Sequence, residues 1–232
     1  MTGDPQPAAA AWLERAADRS PSVQRSRQRS AERAQQIVDA ARRLVVLKGS
    51  EFTTHELVKE AGIAVQTFYT HFEGKDQVLL AVFEELISET CAWLELAARD
   101  LPDPVSRLEF YVRSVVGGID NGQGDRGSRF ITTEHWRLHR LHPQELAQAT
   151  SAFTDLLLPQ IRAATAAGLL APSNADHDAW LVTQLVIAVF HHYEYARSEE
   201  SVEEIADRLW SFCYAALGGR ADPGTRRPPR RA

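Results

Sequence analysis

The chain has 232 residues, 44% of them hydrophobic, with a formal net charge of −5 and two cysteines. That is long enough for a small domain plus a larger one, and Cys91 and Cys213 sit in predicted helices, which excludes a disulfide framework and suits a reducing cytosol. No basic segment followed by an apolar run opens the sequence, and the most apolar stretch, about residues 181–190, is too short to cross a bilayer, so a soluble, cytoplasmic chain without membrane contact is expected.

Residues 1–28 are rich in Ala, Pro, Ser and Arg and read as a disordered basic arm. Arg25, Arg27 and Arg29 recur at every second residue just before the first domain helix, either as a solvated tail or as a contact to phosphates or a minor groove. Ile37, Ala41, Leu44 and Val45 then give a helix an apolar stripe. Thr53 with Glu56 forms the S/T-x-x-E box that satisfies orphan N–H groups at a helix start. Leu57, Val58 and Ala61 give that helix its apolar face, and Gly62 can end it in the left-handed conformation without a Cβ penalty. A second short helix over residues 64–72 buries Phe68 and Phe72 and leaves Gln66, Thr67, Tyr69 and His71 elsewhere on its surface. A longer helix roofing two short ones across a tight turn makes a three-helix helix-turn-helix unit over residues 29–75. Helical spacing alone fits an ordinary hairpin with solvated polar residues equally well.

Six longer helices follow, with no run of alternating strands, so the fold class is all-α. The first runs from Lys75 to about Ala98 without a breaker; the next starts at Asp103-Pro104, with Asp as cap and Pro in the first turn. Another starts at His142-Pro143 and contains Pro159, which should kink it. The last two cover about residues 175–197 and 201–217, the latter opened by a second capping box, Ser201 with Glu204. Leu181, Leu185 and Val189 on one, and Val202, Ile205, Leu209, Phe212 and Ala216 on the other, form apolar stripes that are either internal core or surplus surface for a second copy. Residues 76–219 read as one helical domain, and residues 220–232, with Arg226, Arg227, Arg230 and Arg231 among prolines, as a disordered basic tail.

Gly122-Gln-Gly124-Asp-Arg-Gly127 fits G-x-G-x-x-G, but that fingerprint works at a strand-to-helix turn and no strand is predicted, so a flexible interhelical loop is expected. Glu134, His135, His139 and His142 form one cluster, and His191, His192 and Glu194 another. The first would suit a helical metal-dependent enzyme or metal sensor. Neither matches H-E-x-x-H, and no cysteine pair adds thiolates, so no metal or cofactor is expected. No nucleophile, base and orienting group stand out as a set, which argues against an enzyme.

The stretch from about Ala34 to Leu80 closely resembles the DNA-binding domain of the tetracycline-repressor (TetR) family, most densely at Phe52-Thr53-Thr54, Ala61-Gly62-Ile63, Thr67-Phe68-Tyr69, His71-Phe72 and Lys75-Asp76. The resemblance implies a homodimeric, sequence-specific transcriptional repressor, released from a palindromic double-stranded operator by a small organic effector. It also implies a C-terminal helical ligand-binding and dimerisation domain, whose last two helices pack against their twofold mates. The implied DNA-facing residues are Thr53, Thr54, Val65, Gln66, Thr67, Tyr69, His71 and Lys75. Of these, Val65, Gln66 and Thr67 face base edges and Tyr69, His71 and Lys75 grip phosphates, so that phosphate contacts set register and base contacts carry sequence. Val65 departs from the pattern, since it cannot hydrogen-bond a base; it packs on a thymine methyl or contributes nothing. Candidates for the effector cavity, each equally able to be core, are Trp93, Tyr111, His135, Phe153, Gln184 and His191. Charge agrees with DNA meeting the N-terminal face: residues 1–75 hold 11 Lys/Arg against 9 Asp/Glu, and residues 76–219 hold 10 against 21. An effector-free architectural DNA-binding protein on the same fold is the remaining alternative.

Overall fold

The computed structural model describes residues 20–118, 126–196 and 198–220. They form helices α1 (Pro21–Lys48), α2 (Thr54–Ala61), α3 (Val65–His71), α4 (Lys75–Ala97), α5 (Pro104–Gly117), α6 (Arg126–Leu141), α7 (Pro143–Ala166), α8 (Ala175–Tyr195) and α9 (Val202–Ala216), with no strand among the described residues. Nor is any helix among them long and apolar enough to cross a membrane.

The local signals account for most boundaries. At α2, Thr53 Oγ1 accepts the Glu56 N–H at 3.2 Å while Glu56 Oε2 accepts the Thr53 N–H at 2.8 Å, so each residue satisfies an orphan donor of the other. The helix ends at Gly62, at φ 64° and ψ 34°, where the N–H groups of Gly62 and Ile63 return to the carbonyls of Lys59 and Val58 at 3.2 and 3.1 Å. This paired closure requires the left-handed residue that glycine supplies without strain. Ser201 with Glu204 repeats the reciprocal cap at α9, and Asp103 Oδ1 accepts the N–H groups of Val105 and Ser106 at α5. Pro159 lies inside α7, which continues through it.

One boundary differs from the sequence expectation. Helix α1 begins at Pro21 rather than near residue 29, so Arg25, Arg27 and Arg29 ride on its exposed first turns instead of on an unstructured arm. The start has a physical basis in Pro21 in the first turn, where its missing N–H costs nothing, while the Ser20 side chain at the N-cap makes no capping bond. The rest of that arm, the tail beyond Arg220, and Gly122 and Gly124 of the glycine motif lie outside the described residues.

Two apolar cores stack along α4. The first joins Ile37, Leu44, Phe52, Leu57 and Phe68 to Val78, Leu79, Val82 and Phe83 of α4, and also takes in Phe130 and Leu138 of α6 and Leu146 of α7. The second joins Cys91 and Leu94 of α4 to residues of α5, α7, α8 and α9, among them Tyr111, Leu157, Val186, Leu209 and Cys213. Both cysteines are free, and burial pushes each thiol up to about 11. The N-terminal core therefore does not close at Lys75. It continues through three turns of α4 and is walled by α6, which makes those helices the mechanical link between the two halves.

Candidate functional site

The outer surface of α3 is fixed by its one buried side chain. Phe68 is fully enclosed, with Tyr69 edge-on at 5.1 Å and Phe72 stacked at 6.1 Å. With Phe68 inward, Val65, Gln66 and Tyr69 turn to solvent, while Thr67 and His71 are half-buried. Val65 and Tyr69, four residues apart, share a face. Thr54 is half-buried in the first turn of α2. Thr53 is exposed just ahead of it, but its hydroxyl already accepts from the Glu56 N–H and lies 3.0 Å from Glu56 Oε2 in the capping box.

Lys75, expected on a phosphate, is engaged within the chain. Its ammonium donates to the backbone carbonyls of Ser50 and, at 2.9 Å, Phe52, and sits 5.0 Å from the Phe52 ring centroid. Those carbonyls lie in the α1–α2 loop without a helical ladder to satisfy them, so an inward lysine is favoured. Lys75 thereby ties the entry to α2 to the first turn of α4.

A polar cluster next to this tie was not legible as one in the sequence. The Ser50 hydroxyl donates to Glu134 on α6, whose carboxylate is buried and also accepts Arg137 Nε at 2.6 Å. The Arg137 guanidinium then makes a two-pronged pair with Asp76 on α4, at 2.7 and 3.1 Å, and holds the Asp76 carboxyl below its ordinary range. His142 Nε2, at the α6–α7 junction, lies 3.5 Å from the same carboxylate. Helix α6 is thus clamped to the loop ahead of α2 and to the base of α4. Glu134 and Arg137 stand three residues apart on one helix, but nothing local marks Ser50 or Asp76 as their partners.

One turn of α6 also faces a cavity of about 280 Å³, lined by Phe83, Leu86, Ile87, Thr90 and Cys91 of α4, Ser114 and Val115 of α5 with Gly118, Ile131 and His135 of α6, Thr150 and Phe153 of α7, and Val186, Ile187, Phe190 and His191 of α8. Among the described residues no Asp, Glu, Lys or Arg lines it. His191 is 6% exposed; its Nδ1 lies 2.9 Å from Thr132 Oγ1, and its Nε2 has no partner. The His135 and His191 rings are 4.5 Å apart, and burial lowers both to about 4, so both are neutral near pH 7.

Among the sequence candidates, His135, Phe153 and His191 line this cavity. Trp93 does not. It is 57% exposed and packs beside Phe110, because α4 turns Cys91 and Leu94 inward and carries Trp93 round to solvent. Gln184 is exposed on α8, since Thr183 and Val186 take the inward positions. Tyr111 is buried core and borders a separate pocket with Arg99, Arg107 and Gln160. His135, His139 and His142 do not converge: His139 is exposed and His142 faces Asp76. Among the described residues no three His, Cys, Asp or Glu side chains are grouped to hold a metal.

On α8 and α9 the apolar stripes divide. Ile205 and Leu209 belong to the chain's own core, whereas Leu181, Phe212 and Ala216 are exposed and Leu185, Val189 and Val202 half-buried. Phe212, 64% exposed, stands between two apolar grooves, one bordered by Leu181 and Ala216 and the other by Val189 and Leu209, with Leu185 common to both.

A family model described as bacterial regulatory proteins, tetR family, matches residues 37–82. No curated protein matches the chain in sequence. Among solved structures, Thermus thermophilus FadR, a TetR-family repressor in complex with lauroyl-CoA, is 18% identical with a TM-score of 0.66, covering 82% of this chain and 97% of its own. RolR in complex with resorcinol is also 18% identical, with a TM-score of 0.62 over 80% of this chain and 89% of its own. The fatty acid degradation regulator FadR from Bacillus halodurans is 15% identical, with a TM-score of 0.61 over 81% and 97%. The helix-turn-helix segment is thus matched by the model of the tetR family of bacterial regulatory proteins, and most of the chain shares the fold of these solved regulators.

Proposed function

We propose that this protein is a cytoplasmic, homodimeric repressor that a small organic molecule releases from a palindromic operator. The observation that carries the reading is the double engagement of α6. Its His135 lines an apolar cavity, and its Glu134 and Arg137 grip Ser50 and Asp76 at the base of the helix-turn-helix unit. A molecule that binds better to a displaced α6 would draw Ser50 and Asp76 with it and alter the spacing of the two recognition helices. A ligand indifferent to the two positions of α6 would shift nothing. RolR holds resorcinol and Thermus thermophilus FadR holds lauroyl-CoA, so this fold accepts small molecules of unlike chemistry.

In this reading Val65, Gln66 and Thr67 meet base edges, and Tyr69, His71 and the start of α2 at Thr53 and Thr54 meet the backbone. Lys75 supports that surface from behind. The exposed stripe of Leu181, Leu185, Phe212 and Ala216 is the surface a second copy covers. Twofold symmetry then requires an inverted-repeat operator, with half-sites about one turn, roughly 34–36 Å, apart in the simplest geometry. Footprinting tests this on fragments captured from genomic DNA. Symmetric protection is expected, with Gln66→Ala relaxing preference at particular base pairs. Protection of a single asymmetric site, or a uniform loss of affinity across an operator library in Gln66→Ala, would refute the assignment.

A further inference from the structure

A second cleft, of about 550 Å³, opens at the end of α4 away from the helix-turn-helix unit, walled by Glu95, Leu96, Arg99, Arg107, Tyr111 and Gln160. It shares no lining residue with the cavity that His135 faces. Its polar groups lack partners. Tyr111 is 1% exposed, yet its hydroxyl makes no hydrogen bond within the chain. Unlike Arg107 Nε and His191 Nε2, that hydroxyl is not sealed from solvent, so it reaches the cleft. Arg107 donates through Nη2 to the Leu101 carbonyl at 3.2 Å and keeps Nη1 free and accessible. No ion pair joins Arg99 or Arg107 to a carboxylate among the described residues. Asp103 senses the Arg107 charge, but its oxygens are taken up by Val105 and Ser106 in the cap of α5. Buried tyrosines normally find a partner for the O–H. Water can serve each of these groups singly; an open hydroxyl converging with two unpaired guanidiniums on one cleft points to a ligand.

The chemistry of the wall narrows the ligand. Arg107 and Tyr111, four residues apart on α5, share a face, and the phenol feels the charges of both Arg107 and Glu95. Burial raises the Tyr111 phenol above its ordinary value, so it stays protonated near pH 7 and can donate. Two Arg against one Glu give the described wall a formal charge of +1. A monoanion brings that wall to neutrality, whereas a cation meets two guanidiniums for one carboxylate. Guanidinium forks also match the paired oxygens of carboxylates and phosphates. Leu96 and Ala92 offer an apolar strip beside them, and the volume falls within the usual range for small-molecule sites.

We infer that this cleft binds an organic oxyanion, its carboxylate or phosphate head on Arg99, Arg107 and the Tyr111 hydroxyl and its apolar body along Leu96. It is a second small-molecule site, and it stands whether or not the apolar cavity receives the effector. Calorimetry on the full chain at fixed ionic strength compares benzoate, phenyl phosphate and uncharged benzamide. At least one anion should bind about tenfold more tightly than benzamide, the effect of one charge-assisted hydrogen bond, and the tighter of the two identifies the head group. Tyr111→Phe keeps the ring in the core and loses no bond within the chain. Its ligand-free stability should therefore match or exceed that of wild type, while its anion affinity falls about tenfold and the anion's thermal stabilisation falls with it. Arg99→Gln, on the surface, should weaken the anion similarly, and Glu95→Gln should tighten it by up to about fivefold through removal of one exposed like charge. The Arg99 and Glu95 variants decide the matter if Tyr111→Phe fails to fold. Benzamide binding as tightly as both anions, anions binding Tyr111→Phe and Arg99→Gln as tightly as wild type, or no anion binding at all would each overturn the inference.

Discussion

Replacing Arg137 with alanine cuts the clamp between α6 and the helix-turn-helix unit. Two of the three hydrogen bonds lost go to Asp76, and the Arg137 and Asp76 side chains are 33% and 31% exposed. Water screens that pair, so its loss should cost roughly 0.5–1 kcal/mol. Glu134 is the larger concern, because its side chain is 5% exposed and its only other bond in the clamp is from the Ser50 hydroxyl. Stripping the partner from a fully buried ion costs about 3–5 kcal/mol, and a partly hydrated partner brings this nearer 2. Arg137→Ala should therefore destabilise the chain by about 2–3 kcal/mol, a large part of a typical margin of roughly 5–15. Urea denaturation of wild type, Arg137→Ala, Glu134→Gln and the double variant separates these contributions. With the Glu134 charge gone, removing Arg137 should cost only about 1 kcal/mol, leaving a coupling of roughly 1–2. Effector-induced release should weaken in the folded Arg137→Ala dimer, while effector-free operator affinity stays within a few-fold. A coupling within about 0.3 kcal/mol of zero, at the additivity limit, or a wild-type response to effector, would show that Glu134 and Arg137 do not act as a unit.

Lys75→Ala, which loses two bonds to the Ser50 and Phe52 carbonyls, should destabilise by about 1–3 kcal/mol and leave the salt dependence of operator binding unchanged; a slope lower by about one would instead reveal a direct phosphate contact. His191 is depressed from about 6.5 to about 4 by burial, so the unfolded chain binds the extra proton in that window, and stability, full above it, falls as pH drops through it. His191→Phe should remove up to about 1.4 kcal/mol per pH unit of that loss, and equal losses for wild type and variant between pH 7 and pH 5 in urea titrations would contradict it. Phe212→Glu places a charge on the exposed α8–α9 stripe and should yield folded monomers in sedimentation, with operator affinity reduced at least a hundredfold because two half-sites are no longer bound together; a dimer of unchanged strength would move the interface elsewhere.

Features set by neighbours in sequence were readable without coordinates, and features set by distant partners were not. The Thr53–Glu56 box, the Gly62 turn and the Phe68–Phe72 spacing all lie within a few residues, so the helix-turn-helix unit and the six following helices follow from local rules. The start of α1 was encoded too, in Pro21, but the polar sequence after it has no apolar stripe and reads as a tail. Lys75 is different, because its partners at Ser50 and Phe52 lie 25 and 23 residues away in a loop whose path the motif does not specify. The Ser50–Glu134 bond spans 84 positions. The outward position of Trp93 was hidden for a related reason: α4 serves two cores in succession, so spacing alone does not say which of its apolar faces turns inward at a given height. His135 and His191, which line the cavity, stand out locally because a histidine on an apolar helix face is unusual.

In the proposed reading, α6 is the element through which the two binding events are linked. His135 and the Glu134–Arg137 pair share one helical turn, and a helix resists local deformation, so a displacement at the cavity wall is transmitted to Ser50 and Asp76 rather than absorbed between them. Linkage then requires reciprocity: whatever factor the effector removes from operator affinity, the operator must remove from effector affinity. The clamp contributes to that factor only to the extent that its bonds differ between the two positions of α6. Arg137→Ala must therefore reduce both effects equally if the clamp is the conduit, and an operator-bound dimer that still discriminates against effector as strongly as wild type would place the coupling in the shared packing along α4 instead.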